Sequence, residues 1–209
     1  MKLTSSNFSD GQKIPGEFSF CIPDPAHHVC LGKNLNPHLA WSEAPAATKS
    51  FVIICHDPDV PSKGDDVNQE GRTVPASLPR VDFFHWVLVD LPATISEIKE
   101  SEFSSKVTPR GKQGPQAAQG CRQGINNYTD WFAGDHDMSG DYYGYDGPCP
   151  PWNDEIIHHY VFTVYALDVE KLQVDGKFGG PEVRAAMQGH ILAEASLAGT
   201  YTLNASLLA

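Results

Sequence analysis

The stretch Phe83-Phe-His-Trp-Val-Leu-Val-Asp90 is almost wholly aromatic and β-branched, carries one imidazole, and is closed by Leu91-Pro92. Its length and side chains fit a strand better than a helix. Strict alternation would send Phe83, His85, Val87 and Val89 to one face and Phe84, Trp86 and Leu88 to the other. Both faces are apolar, so this is expected to be a central strand buried on both sides. Two further runs read the same way. Phe51-Val-Ile-Ile-Cys-His56 stops at Asp57-Pro58, and His158-His-Tyr-Val-Phe-Thr-Val-Tyr-Ala-Leu167 stops at Asp168. Weaker strand signals lie at 17–21 and 201–203.

Outward from these strands, the clearest helical pattern spans residues 181–197. Val183, Met187 and Ile191 recur every fourth residue, Ala195 continues the face, Pro181 suits a first turn and Gly199 a stop. Shorter helices are expected at 96–103 and 169–172. The rest reads as loop, with 18 glycines and 16 prolines. The longest connections, at 60–81 and 104–138, are of a length that is usually functional or mobile. No repeat and no shift in composition divides the 209 residues, so one mainly β domain over 1–209 is expected, with peripheral helix.

With 15 basic against 26 acidic side chains, the chain has a formal charge of −11. That field opposes bulk attraction to nucleic acid or to an anionic bilayer, so neither partner is expected. No apolar run reaches the roughly 18 residues of a spanning helix, and residues 1–15 lack a signal-peptide core. The expectation is a cytoplasmic protein. Its cysteines (Cys21, Cys30, Cys55, Cys121 and Cys149) form an odd set without a CxxC pair, so they read as free thiols in a reducing compartment. The stretch 103–129 has no acidic residue but carries Lys106, Arg110, Lys112 and Arg122. It reads first as a solvated Gly/Gln-rich loop and second as an anion-facing rim.

Three clusters carry possible chemistry. Asp57-Pro-Asp-Val-Pro61 is ordinary turn material, but Pro58 and Pro61 would hold its carboxylates stiffly at a strand end. His85 in its strand reads first as a hydrogen-bonded core histidine. Gly144-Tyr-Asp-Gly-Pro-Cys-Pro-Pro151 is a rigid loop that a ligand can approach closely. After it, His158 and Tyr160 share one strand face, either as donors to an anion or ester oxygen or as a polar end facing solvent.

Asp57-Pro-Asp-Val-Pro61, His85-Trp-Val-Leu-Val-Asp-Leu-Pro92, Gly144-Tyr-Asp-Gly-Pro-Cys-Pro-Pro151 and His158-His-Tyr160, in this order, resemble the phosphatidylethanolamine-binding protein family. The likeness is to its bacterial Raf-kinase-inhibitor-like branch (YbhB/YbcL type), marked by the cysteine in Gly-Pro-Cys-Pro-Pro. The resemblance implies an antiparallel β-sandwich, with a large central sheet, a smaller sheet and a C-terminal helix. It also implies a pocket at one end of the central sheet that binds anions, including phosphoryl head groups. Asp57, Val60, Pro61, His85, Gly147, Pro148, Pro150, His158 and Tyr160 match the pocket residues. Val60–Pro61 matches a bond that is cis in the family. The polar segment 62–81 is longer than in compact bacterial members and is expected near the pocket.

Together these readings predict a phosphoryl group held by His85, His158 and Tyr160, with Asp57 orienting a histidine or keeping it protonated. The expected function is a non-catalytic binding protein for a small anionic or phosphorylated ligand, regulatory or inhibitory toward a kinase or protease. It needs no cofactor or metal, and the resemblance adds a homodimer. The alternatives are a hydrolase or phosphatase using Asp57, His85 and His158, and a scaffold acting through its surface. The sequence lacks GxSxG, HExxH and GxxxxGK[ST], which weighs against the enzyme.

Overall fold

In the computed structural model, which describes residues 1–208, the three apolar runs lie side by side. The strands are β1 (Lys2–Thr4), β2 (Cys21–Asp24), β3 (His28–Leu31), β4 (Leu39–Ser42), β5 (Ser50–Pro61), β6 (Arg80–Pro92), β7 (Glu97–Ile98), β8 (Arg122–Gln123), β9 (His158–Leu167) and β10 (Ile191–Tyr201). Two short helices accompany them, α1 (Tyr128–Trp131) and α2 (Gly180–Ala186). A five-stranded antiparallel sheet has the order β10-β9-β5-β6-β8, a second sheet has β1-β4-β7, and β2 pairs with β3.

Because β5, β6 and β9 occupy the middle, both faces of the large sheet are covered. On one face Phe51, Ile53, Trp86, Leu88, Phe162 and Val164 pack against Leu3, Leu39, Trp41 and Ile98 of the smaller sheet. On the other, Val52, Ile54, Phe84, Val87 and Val89 pack against Phe178, Val183 and Met187 in and around α2. A side chain on Gly180 would collide with the Phe84 ring, so only glycine lets α2 start this close to β6.

Within residues 83–89 of β6 the expected alternation fails at one position. Cys55 pairs with Trp86 but His56 pairs with Phe84, so His85 is the extra residue of a β-bulge. Phe83, His85 and Trp86 therefore all point to the small-sheet side, and Val87 to the other. Without the bulge His85 and Trp86 would face apart. The bulge turns the imidazole toward the end of the core, where the side chains of β5 and β9 also arrive.

Several expected elements take another form. The helix over 181–197 ends at Ala186; a turn through Gly189 (φ +83°) reverses the chain, and β10 then pairs along the whole of β9. Helix propensity in an Ala/Leu-rich segment is a few tenths of a kcal/mol per residue, and an open sheet edge overrides it. Residues 97–98 form β7 rather than a helix, and 169–172 form none, 169–171 being bends. The 17–21 signal splits into a 3₁₀ turn at Gly16–Phe18 and the start of β2, while β10 stops at Tyr201. The Asp57-to-Pro61 segment is not a turn: β5 runs extended through it, with a register shift between Asp57 and Val60. Val60–Pro61 is trans, and the cis X–Pro bond among the described residues is Gly114–Pro115.

The five thiols are not all free. Cys21 and Cys149 form a disulfide. The backbone N–H groups of Phe20 and Cys21 both donate to the Pro148 carbonyl, which brings the two Cα atoms to 4.9 Å, within bridging range. Cys30 is exposed, and Cys55 and Cys121 are buried thiols. The bond removes the cysteine argument for a reducing compartment.

Candidate functional site

A cavity of about 530 Å³ opens at the end of the large sheet. The strand ends β5, β6 and β9 supply its polar floor, because Asp57, His85 and Tyr160 all project to the small-sheet side. Its walls are apolar. Phe20, Tyr128 and Phe132 stack in sequence, with ring centroids 4.6 and 5.6 Å apart, and Phe83 meets Tyr128 edge-on at 5.2 Å. The disulfide cysteines Cys21 and Cys149 contribute part of one wall, and Leu31 and Trp131 stand at the mouth, 58% and 53% exposed.

The inserted segment forms part of the rim. Gly64, Val67 and Asn68 reach the cavity. Asn153 gathers this segment: its side-chain N–H groups donate to the carbonyls of Asp66 and Arg72, and its carbonyl accepts from Asn68 N–H. The loop between β5 and β6 is thereby knotted onto the chain just after the glycine/proline run.

His85 is held from behind. Its Nδ1 lies 2.8 Å from the Asp146 carbonyl oxygen, which can only accept, so Nδ1 carries the hydrogen and Nε2 keeps a bare lone pair. Burial pushes the ring down to about 4 despite the opposing influence of Asp57 and the Asp146 carbonyl, so it is neutral at pH 7. Asp146 is fixed in turn. Its carboxylate accepts from Lys112 Nζ, Asn34 and Asn126, each at 2.8 Å, and its N–H donates to the His85 carbonyl. Burial still raises the Asp146 carboxyl, against the pull of Lys112.

His158 is arranged differently. Nδ1 donates to Asp57 Oδ2 at 2.7 Å and Nε2 to Asp154 Oδ2 at 3.1 Å, and the ring is fully buried. Burial alone would lower it, but the two carboxylates outweigh that and raise it to about 9, so the ring is a doubly donating cation. Arg80 closes the row with a two-pronged contact to Asp154 at 2.6 and 3.0 Å. Charges thus alternate as Arg80, Asp154, His158, Asp57 and sum to zero. Asp57 Oδ1 also accepts from the Asp59 N–H at 2.7 Å.

Tyr160 completes the floor. It is 1% exposed, its hydroxyl sits beside the Asp57 carboxylate without a well-formed hydrogen bond to any described residue, and burial pushes its pKa up, so it remains a phenol. Its ring lies 5.1 Å from that of His85.

Of the residues picked from sequence, Asp57, Val60, Pro61, His85 and Tyr160 line the cavity. Gly147, Pro148, Pro150 and His158 do not. Gly147 and Pro148 sit behind the wall, their carbonyls taken by Tyr128 and by Phe20 and Cys21, while Cys149 and Pro151 face inward. His158 has no nitrogen left for a ligand; Asp57 orients it and, with Asp154, keeps it protonated, as expected of that carboxylate. The basic stretch is not a free anion rim: Lys112 pairs with Asp146 and Arg122 with Asp90 at 2.6 Å. Sequence reading missed Asp146, Asp154 and Arg80. Asp146 stands inside the quoted glycine/proline run, but no local pattern marks a carboxylate that will be buried. No group of three or more His, Cys, Asp or Glu among the described residues is placed to hold a metal. No helix among them is long and apolar enough to cross a membrane.

Comparison with known proteins agrees over nearly the whole chain. Residues 4–202 match the family described as phosphatidylethanolamine-binding protein. The Escherichia coli UPF0098 protein YbhB is 33% identical over 202 residues, 97% of this chain and 100% of that one. Escherichia coli UPF0098 protein YbcL is 27% identical over 97% of this chain and 87% of its own. The crystal structure of YbcL, described as a member of the mammalian PEBP family, superposes with a TM-score of 0.67 at 26% identity, covering 96% of this chain and 97% of that one. A phosphatidylethanolamine-binding protein homologue from Chlamydia trachomatis gives 0.63 at 30% identity, covering 96% and 95%. Shared sequence along the full length, and a shared arrangement of sheets, mean that this chain belongs to the phosphatidylethanolamine-binding protein family.

Proposed function

We propose that the protein is a non-catalytic binding protein that seats one small molecule in the cavity at the end of the large sheet. The ligand's polar head would lie against Asp57, His85 and Tyr160, and its apolar body along the Phe20–Tyr128–Phe132 wall. The observation that carries this reading is an apolar-walled cavity at a sheet end onto whose floor Asp57, His85 and Tyr160 converge, with the Nε2 of His85 left without a partner among the described residues. The phosphoryl or other anionic head implied by the family resemblance is one candidate occupant. A hydrolase built on Asp57, His85 and His158 has less support, since His158 is sealed between two carboxylates and Asp57 is committed to it.

A regulatory role toward a kinase or protease is a second reading. It draws on Leu31 and Trp131, large apolar side chains exposed at the cavity mouth, where an occupant and a protein partner would meet.

The test is a ligand-observed NMR screen of small polar-headed molecules, including phosphate and phosphoethanolamine, against the protein and a Met138→Trp variant that fills the cavity. Binding present in the first and lost in the second is expected. Binding that survives the blocked cavity would overturn the reading.

A further inference from the structure

The hairpin β2–β3 stands apart from both larger sheets. Among its strand residues only Cys21 is buried; Ile22, Asp24 and Val29 are half-buried, and Pro23, His28, Cys30 and Leu31 are exposed. A two-stranded hairpin that buries so little is marginal on its own in water. Its root is tied to the rest of the fold around Cys21. The N–H groups of Phe20 and Cys21 donate to the Pro148 carbonyl, the Tyr201 hydroxyl donates to the Cys21 carbonyl, and the disulfide joins Cys21 to Cys149. At its tip His28 stacks on Trp152 with ring centroids 3.8 Å apart and meets Glu70 at 2.6 Å, but that pair is solvated and adds little.

Both flanks of the hairpin border hollows. Cys21 and Leu31 line the cavity at the sheet end, while Pro23, Asp24, Pro25 and His28 line a separate groove of about 900 Å³ shared with Trp152 and residues 203–207. The hairpin is thus a partition between two open spaces. The core needs little from it: of its strand residues only Cys21 and the half-buried Val29 join the packing under the large sheet.

We propose that the Cys21–Cys149 bond is a thiol-exchange site that latches this hairpin as a wall of the cavity. Both cysteines line the cavity and Cys149 is only half-buried, so a small thiol entering the mouth meets the bond. Its thiolate attacks one sulfur, forms a mixed disulfide and expels the other sulfur as a thiolate. A second donor thiol completes the donor disulfide; two electrons pass to the protein, and the two donor protons end on Cys21 and Cys149. The hairpin then loses its buried anchor while the sheets keep their packing. A ligand that touches Cys21 and Leu31 must order them before it binds. This control of the ligand rests on the binding reading above; the release of the hairpin does not.

Amide hydrogen exchange of the full chain, oxidised and after dithiothreitol, tests the release. Residues 22–31 are expected to exchange at least about tenfold faster once the bond is reduced, with β5, β6 and β9 unchanged. Hairpin protection unmoved by reduction would overturn the latch. So would an equal loss in the central strands, which would make the bond a staple of the whole fold. A Cys21→Ser, Cys149→Ser variant should exchange like the reduced protein, and the wild-type comparison decides the matter where that variant folds poorly.

Calorimetric titration with phosphoethanolamine tests the control of binding. It is expected to bind the reduced protein about fivefold to tenfold more weakly. By reciprocity, saturating phosphoethanolamine should make the bond harder to reduce by the same factor. Equal affinity for the two states would overturn the control. Binding to neither state would sink the binding reading alone, and the exchange result would still decide the latch.

Discussion

Nδ1 of His158 donates to Oδ2 of Asp57 across 2.7 Å, and the imidazole that does so has no exposure to water. Since the ring's pKa is raised to about 9 from an ordinary 6.5, folding retains a proton that the unfolded chain would release. The stabilisation is complete below pH 6.5 and is lost as pH climbs from there through 9. Its scale is on the order of 3 kcal/mol. Urea denaturation between pH 6 and 9.5 should show this decline, and His158→Gln should be less stable at pH 6.5 with a flatter alkaline limb.

His85 has the opposite sign. Its folded value of about 4 lies below the ordinary one, so the unfolded chain takes up a proton first and stability falls as pH drops from 6.5 toward 4. The His85 ring signals in an NMR titration should stay those of a neutral imidazole down to about pH 5. A midpoint near 6.5 would mean the ring is solvated.

Lys112 reaches into the core to neutralise Asp146, the residue that holds His85 in place. Lys112→Met leaves that carboxylate buried without its cation, and a loss of about 3–5 kcal/mol is expected from the denaturation midpoint. Adding Asp146→Asn to Lys112→Met should restore part of it, because the asparagine carries no charge to compensate. A double variant weaker than the sum of the two single changes would contradict the pairing.

The Cys21–Cys149 bond joins positions 128 residues apart, so it constrains a long loop in the unfolded chain. Reduction should cost about 2–5 kcal/mol. Alkylation of the denatured, unreduced protein followed by mass analysis should label Cys30, Cys55 and Cys121 and spare Cys21 and Cys149. In the native protein Cys30 should react first, being the exposed thiol.

What could be read in advance was the middle of the large sheet. The runs that became β5, β6 and β9 carry strand-forming side chains on both faces, and such a pattern has no other stable outcome in a chain this size. The face of Tyr160 followed from period two alone. The bulge at His85 did not, because an inserted residue leaves no local signal and is set by how β5 and β6 register. Residues 191–197 looked helical because Ile191 and Ala195 continue the four-residue spacing of Val183 and Met187, whereas their fate was decided by the open edge of β9. Asp146, Asp154 and Arg80 escaped notice for a related reason: their partners lie on distant segments, and a buried ion pair exists only once the chain has closed around it.

The most direct measurement of the central claim, an open acceptor at the floor of a ligand cavity, is the imidazole ¹⁵N spectrum of His85 with and without phosphoethanolamine. At pH 7 it should show Nδ1 protonated and Nε2 bare, and the Nε2 signal should move on saturation in the direction of an accepted hydrogen bond. A protonated Nε2, or a bare one unmoved by saturating phosphoethanolamine, would contradict the account.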